Sequence, residues 1–388
     1  MRFPYGIADF RKIREEGYFY VDRTDRIPLL EEAGSQLLFL RPRRFGKSLW
    51  LSTLENYYDL VRADDFEHLF GNLKIGRNPT PLRNTYFILN LNFSMVDPKG
   101  DADAIAASFY DHLNGAIEAF ALRYRTHLPT AITVHKNALR SWQALLAAVG
   151  ETAHKLYVLI DEYDNFANAV MISPLRGTDR YRQLVEGEGT LKTFFKAVKA
   201  GAEGGGIDRV FLTGVTPVVL SDMTSGYNVA ESLTQRPLFH DLCGFTEAEL
   251  RAALDAVAAI HSLAPGRADD ALRLMRDFYN GYRFTAQREE QVYNPTLALY
   301  FLKRLAEDGA YPEQLLDDNL AMDRNRIHYV ARLPHGETLV NRALNDAQPL
   351  AVAQLSNRFG VQDMLTAPKD PAFLASLLYY FGVLTLAG

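Results

Sequence analysis

The chain has 388 residues, 48% of them hydrophobic and 23% charged, and a formal net charge of −5. This balance excludes a disordered chain, and at roughly 150 residues per domain it allows two or three domains with sizeable cores. The acidic sign speaks against broad nonspecific nucleic-acid binding by the chain as a whole, while leaving room for a local basic patch.

Along the chain, Met1 to Ile13 carries charges and has no apolar signal core. The first apolar run, Gln36–Leu40 (QLLFL), is expected as a buried strand, with an apolar helix starting near Leu49. A second strand is expected at Tyr86–Asn92 (YFILNLN). Apolar residues at three- and four-residue spacing then predict helices over Ala102–Tyr124 and Asn137–His154. The third strand is Leu156–Ile160 (LYVLI). The polar, glycine-containing stretch 172–189 is expected to be an exposed, mobile loop. The GAEGGG stretch at 201–206 is expected as a loop before a fourth strand, Arg209–Leu212 (RVFL). Alternating strands and helices predict a parallel sheet covered on both faces. From Thr246 helical patterns dominate, opening on the capping-box string Thr246-Glu247-Ala248-Glu249. We therefore expect a core over residues 1–243 and a mostly helical region over 244–388.

The lone cysteine, Cys243, excludes an internal disulfide and a thiol-zinc site, and it fits a reducing, cytoplasmic setting. No apolar run reaches the roughly 20 residues a membrane span needs. The nine histidines are scattered and are read as ordinary surface or core residues.

The first strand runs into Arg41-Pro42-Arg43-Arg44-Phe45-Gly46-Lys47-Ser48. Against the phosphate-binding pattern G-x-x-x-x-G-K-[ST], the second glycine, the lysine and the hydroxyl are in place, and Arg41 stands where the first glycine would. Convergent backbone N–H groups at a helix start suit a phosphate. Gly46 lets the backbone come close, Lys47 offers a charge to the β- and γ-phosphates, and Ser48 coordinates Mg²⁺. Residues Arg43, Arg44, Phe45, Gly46, Lys47, Ser48 and Leu49 are thus the expected cofactor-binding set for ATP. Arg43 and Arg44 have an alternative reading as loop-solvating charges.

The third strand ends in Asp161-Glu162. In such a site Asp161 anchors Mg²⁺ with Ser48, and Glu162 polarises the attacking water. A strand ending in solvated acids is the bland alternative, and the phosphate loop upstream decides against it. The strand lying between the two motifs in sequence suggests the subclass in which the phosphate-loop and acidic strands are not neighbours. The fourth strand ends in Thr213-Gly214-Val215-Thr216, where Thr213 and Thr216 are candidates to sense the γ-phosphate or orient the water, with an ordinary strand-end turn as the alternative for each; Thr213 is grouped with Glu162 and Lys47 as catalytic.

Together these residues resemble the bacterial AAA-ATPase-like proteins, relatives of the STAND and archaeal ATPases. The likeness runs through Tyr18–Thr24, the PRRFGKS string, Ile160-Asp161-Glu162-Tyr163-Asp164, Leu212–Pro217, Leu242–Thr246, Tyr279–Phe284, Val292–Pro295 and Leu377–Thr385. It implies an α/β P-loop NTPase core of the AAA type, with a parallel sheet flanked by helices, followed by a mostly helical C-terminal domain. It also implies that Asp22 and Arg23 lie at the nucleotide. Members often carry a PD-(D/E)xK nuclease-like domain, so a protein partner or nuclease module is a further expectation. The acid-x-Lys triplet Asp97-Pro98-Lys99 reads as a surface turn and not as a nuclease site. Arg236 and Arg283 are weaker candidates for a γ-phosphate sensor, and Tyr279–Phe284 reads as aromatic packing at a helix end.

The expected function is an ATP-driven switch with slow Mg²⁺-dependent hydrolysis. The alternative is a nucleotide-binding scaffold that hydrolyses little and recruits a partner. Direct DNA binding is a third reading, disfavoured by the net charge. The oligomeric state is not legible.

Overall fold

The computed structural model describes residues 1–172, 189–217, 229–315, 335–345 and 371–387, with 179, 182–184, 219, 220, 227, 330, 331, 333, 355 and 356 between them. Most of the stretch expected as a mobile loop, 173–188, lies outside the described residues; Leu184 within it is buried in the main core.

Strands β1 (Gln36–Leu40), β2 (Tyr86–Asn92), β3 (Lys155–Asp161), β4 (Ile207–Gly214) and β5 (Glu231–Ser232) form one sheet in the order β2-β3-β4-β1-β5. Every pairing is parallel. Near-continuous apolar runs are what a parallel sheet buried on both faces requires. The phosphate-loop strand β1 and the acidic strand β3 are not neighbours, as expected. The strand between them in space is β4, whereas β2, which lies between them in sequence, takes the far edge.

β1 and β2 have the expected bounds, and β3 and β4 are longer. Asp161 and Thr213 are strand residues, because their backbones stay in the ladder after the apolar run stops: Asn92 pairs with Asp161 and Phe39 with Thr213. β5 was not foreseen. Two residues, Glu231 and Ser232, offer no apolar run to read.

Helices α1 (Phe10–Glu15), α2 (Ile27–Ala33), α3 (Lys47–Tyr58), α4 (Phe66–Phe70), α5 (Ala102–Arg123), α6 (Ala138–Gly150), α7 (Asn165–Ile172) and α8 (Thr190–Ala202) accompany the strands. α5 starts where Asp101 caps the Ala104 N–H, and it buries Ile105, Phe109, Leu113, Ile117 and Phe120 along one stripe. After the sheet come α9 (Glu247–His261), α10 (Arg267–Tyr279), α11 (Pro295–Asp308), α12 (Gly336–Asn345) and α13 (Pro371–Tyr380). The capping box at Thr246 and Glu249 opens α9 with both of its hydrogen bonds.

The buried apolar residues fall into two clusters. The larger surrounds the sheet and also takes in Phe284, Val292, Leu374, Leu377 and Leu378. The smaller joins α9, α10 and α11, with Phe3 from the N-terminus. The apolar residues of α13 thus belong to the cluster around the sheet, with Leu339 of α12, and not to that of α9, α10 and α11. Among the described residues no helix is long and apolar enough to cross a membrane.

Candidate functional site

The site forms where β1, β3 and β4 end on one side of the sheet. α3 begins at Lys47 behind Gly46, whose φ of 90° favours a residue without a Cβ. Lys47 is buried, and its Nζ donates to the carbonyls of Arg41 at 2.9 Å and Pro42 at 3.0 Å. Burial pulls its pKa down, against the pull of Asp161, Glu162 and Asp164. Ser48 Oγ donates to Asp161 Oδ2 at 2.5 Å. Thr213 Oγ1 donates to the other oxygen of the same carboxylate. Two hydroxyls far apart in sequence, Ser48 and Thr213, thus meet on one acid, Asp161.

Glu162 follows with a φ of 49°, in the left-handed region that non-glycine residues avoid. It lines a cleft of about 310 Å³ together with Arg44, Phe45, Gly46, Lys47, Ser48 and Leu49. Burial raises its pKa, and the Asp161 and Asp164 charges add to this, while Lys47 and Arg43 oppose it. One wall is apolar, formed by Ile7, Phe19, Tyr20, Trp50, Phe245 and Leu299; of these only Tyr20, in the segment Tyr20–Thr24, was expected near the nucleotide. These come from five separate segments, so no local pattern announces the wall as a whole. Cys243 also lines the cleft, and burial pushes its thiol up to about 11.

The expected binding residues divide. Arg23 lines the cleft, yet its guanidinium is committed to Glu249, with 2.7 Å from one nitrogen, and to the Asp241 carbonyl at 2.6 Å. Asp22 is not among the lining residues; its carboxylate accepts from Thr24 N at 2.9 Å and Lys74 N at 2.7 Å, holding a turn. Arg43 is likewise outside the lining and donates to Asn165 Oδ1 at 2.8 Å. Phe45 turns its ring away from solvent onto Tyr282 and Phe284, at 4.8 and 5.3 Å between centroids. Arg44 gives its carbonyl to Thr296 Oγ1 at 2.7 Å.

Arg41 explains the missing first glycine. Its side chain is 1% exposed and bonds the carbonyls of Leu40, Thr234, Phe239 and His240. Its guanidinium carbon lies 4.3 Å from the Phe39 ring centre and 3.9 Å from that of Phe284. Burial lowers its pKa to about 10. Arg41 therefore ties β1 to the segment after β5 and is not among the residues that line the cleft.

Neither sensor-arginine candidate lines the cleft. Arg283 is buried and bonds the Thr285 and Ala286 carbonyls, and Arg236 pairs with Glu231. Thr216 is turned to Asp164, 2.8 Å from its Oδ2. The Asp97-Pro98-Lys99 triplet is a turn in which Asp97 accepts from Lys99 N at 3.0 Å.

Ser48 and Asp161 offer hard oxygen donors in contact beside this cleft, a pairing that suits Mg²⁺. The arrangement can hold a phosphate at Lys47, a cation at Ser48 and Asp161, and a planar apolar group against the aromatic wall.

Residues 4–224 match the family described as Predicted AAA-ATPase. An uncharacterized protein in the vnfD 5′ region of Azotobacter chroococcum mcd 1 is 30% identical over 305 residues, covering 78% of this chain and 52% of its own length. The chain thus spans about half the length of that curated relative. Among solved structures, the Walker-type ATPase PABY2304 of Pyrococcus abyssi is 15% identical with a TM-score of 0.45, over 93% of this chain and 90% of that one. The ORC1 protein of Aeropyrum pernix, solved in complex with DNA, is 14% identical with a TM-score of 0.35, over 88% and 78%.

Proposed function

The chain belongs to the predicted AAA-ATPase family of ATP-binding P-loop proteins, and from that premise we propose that it hydrolyses ATP with Mg²⁺ as a nucleotide-dependent switch. The observation that carries the reading is the meeting of Ser48, Asp161 and Thr213 beside Lys47 and Glu162 at the ends of β1, β3 and β4. In this reading the adenine lies against the wall of Phe19, Tyr20 and Phe245, and Lys47 leaves its carbonyl partners for the β- and γ-phosphates.

Ser48 and Asp161 would hold Mg²⁺, which neutralises phosphate charge when bound. Glu162 orients a water whose oxygen forms a bond to the γ-phosphorus. The bond from that phosphorus to the ADP oxygen breaks, and the water proton passes to the Glu162 carboxylate. The products are ADP and inorganic phosphate. Burial gives Glu162 a raised proton affinity, which suits a base. Thr213 keeps Asp161 oriented through its hydroxyl.

The helical region touches the phosphate loop through Thr296, Tyr282 and Phe284, a route by which occupancy at the loop reaches α11. A division into a core of 1–243 and a helical region of 244–388 belongs to the same proposal, with residues 371–380 returning to the core. So do a cytoplasmic setting and a protein partner or nuclease module.

The test is ATP turnover and ATP binding by the purified chain with Mg²⁺. Lys47→Ala is expected to weaken binding by at least about tenfold, the worth of one charge-assisted contact. Glu162→Gln is expected to keep binding and lose turnover by about 10²- to 10⁴-fold. A wild-type chain that binds ATP and releases no phosphate would replace this reading with the scaffold.

A further inference from the structure

We propose that Asp164 is a positioning residue for hydrolysis: its buried carboxylate pins the end of β4 to the turn after β3 and so holds Glu162 in its cleft-lining conformation. The inference rests on the reading of Glu162 as the base.

Asp164 is 1% exposed. A carboxylate at that depth demands several donors, and a solvated acid at a strand end needs none. Its Oδ1 accepts from Val215 N at 3.1 Å. Its Oδ2 accepts from Thr216 N at 2.8 Å, Thr216 Oγ1 at 2.8 Å and Asn168 Nδ2 at 2.6 Å. Three of these four donors belong to the two residues that follow β4. The carboxylate is therefore a clasp between the β3 turn and the β4 end.

The neighbouring residues close the same junction. Tyr163 N donates to the Thr213 carbonyl at 3.0 Å, and the Tyr163 hydroxyl donates to the Thr216 carbonyl. Gly214 lies against both side chains. A Cβ there would stand 2.5 Å from Tyr163 Cε1 and 2.6 Å from Asp164 Oδ1, so only glycine fits. The Thr-Gly-Val-Thr string thus reads as one mating surface: Thr213 for Asp161, Gly214 for close approach, and Val215 and Thr216 for Asp164.

Glu162 sits between the two fixed points, Asp161 before it and the Tyr163–Asp164 clasp after it. Its φ of 49° persists only where the surroundings hold it. The turn also reaches the phosphate loop, because Asn165 accepts from Arg43 at 2.8 Å. Loosening the clasp leaves Lys47 and Ser48 in place and lets Glu162 relax toward an ordinary backbone conformation.

The experiment compares the full wild-type chain with Asp164→Asn, Thr216→Val and Thr216→Ser, measuring kcat, the Kd for ATP and Tm. Asp164→Asn turns an amide nitrogen toward backbone donors, and kcat is expected to fall about 10²-fold, the effect of misplacing a reacting group by about 1 Å. The Kd for ATP is expected to stay within about threefold, since the loss falls on an interaction made at hydrolysis. Thr216→Val keeps the shape and removes the hydroxyl donor; about a tenfold loss in kcat is expected, with Thr216→Ser near wild type. If Asp164→Asn does not fold, the Thr216 pair decides. Binding and turnover falling by the same factor would make Asp164 structural and overturn the inference. So would Asp164→Asn and Thr216→Val turning over at the wild-type rate, with the hydrolysis reading left standing. A wild-type chain that binds ATP without turnover removes both.

Discussion

At the residue scale, Arg41 is the instructive departure. Restoring the pattern with Arg41→Gly would remove a buried cation that serves four carbonyls and stacks between two rings. We expect the change to destabilise the protein by about 3 kcal/mol or more, because buried acceptors lose their donor and a cavity opens. Urea unfolding would measure it, and an unchanged midpoint would show that the glycine is interchangeable with Arg41. The meeting of Ser48 with Asp161 beside Lys47 could be anticipated because the phosphate-loop pattern and an acidic strand end restrict the residue type at each position. The roles of Arg41, Arg43 and Arg44 could not, because three arginines in a short string look alike until burial separates them: Arg41 inside, Arg43 on Asn165, and Arg44 at the cleft rim with a φ of 63°. Asp164 hid for a similar reason. An acid at a strand end reads as solvated until the partner strand is known.

At the element scale, α9 carries a cap that serves two purposes. Glu249 closes the capping box at Thr246 N, 2.8 Å away, and pairs with buried Arg23. Burial opposes the Arg23 charge, and Glu249 and Asp241 outweigh it, so its pKa is raised. Thr246→Ala is expected to cost about 1 kcal/mol, the usual worth of an N-cap. Glu249→Ala is expected to cost about 3 kcal/mol, because it also leaves a buried cation short of a partner. Chemical denaturation of both variants compares them, and equal costs would mean that the Arg23 pair contributes nothing. The capping box was readable from four consecutive residues, whereas the pairing with Arg23 joins positions 226 apart and has no local signature. Strands followed the same rule. β1 and β2 were bounded by their apolar runs, and two-residue β5 had no run to show.

At the scale of the whole molecule, the phosphate loop is braced by the segments that follow the sheet. Phe45 rests on Tyr282 and Phe284, and Gly382 sits so close to Pro42 that a Cβ there would lie 2.8 Å from the proline Cβ. Residues 1–243 alone contain all five strands yet lack these braces and the core residues of α13. We expect that fragment to lose cooperative unfolding, by near-ultraviolet circular dichroism and size-exclusion chromatography. A monodisperse, sharply melting fragment would mean that the braces are dispensable. The strand order has a consequence for synthesis on the ribosome. Gln36 pairs with Val210, a separation of 210 − 36 = 174 residues, and the other neighbour of β1 comes later still. At roughly 5–20 residues per second, the most apolar strand of the nucleotide site emerges about 9 to 35 s before its first partner. For that interval it is an unpaired edge, and a nascent chain of this design has reason to recruit a chaperone before it has anything to bind ATP with.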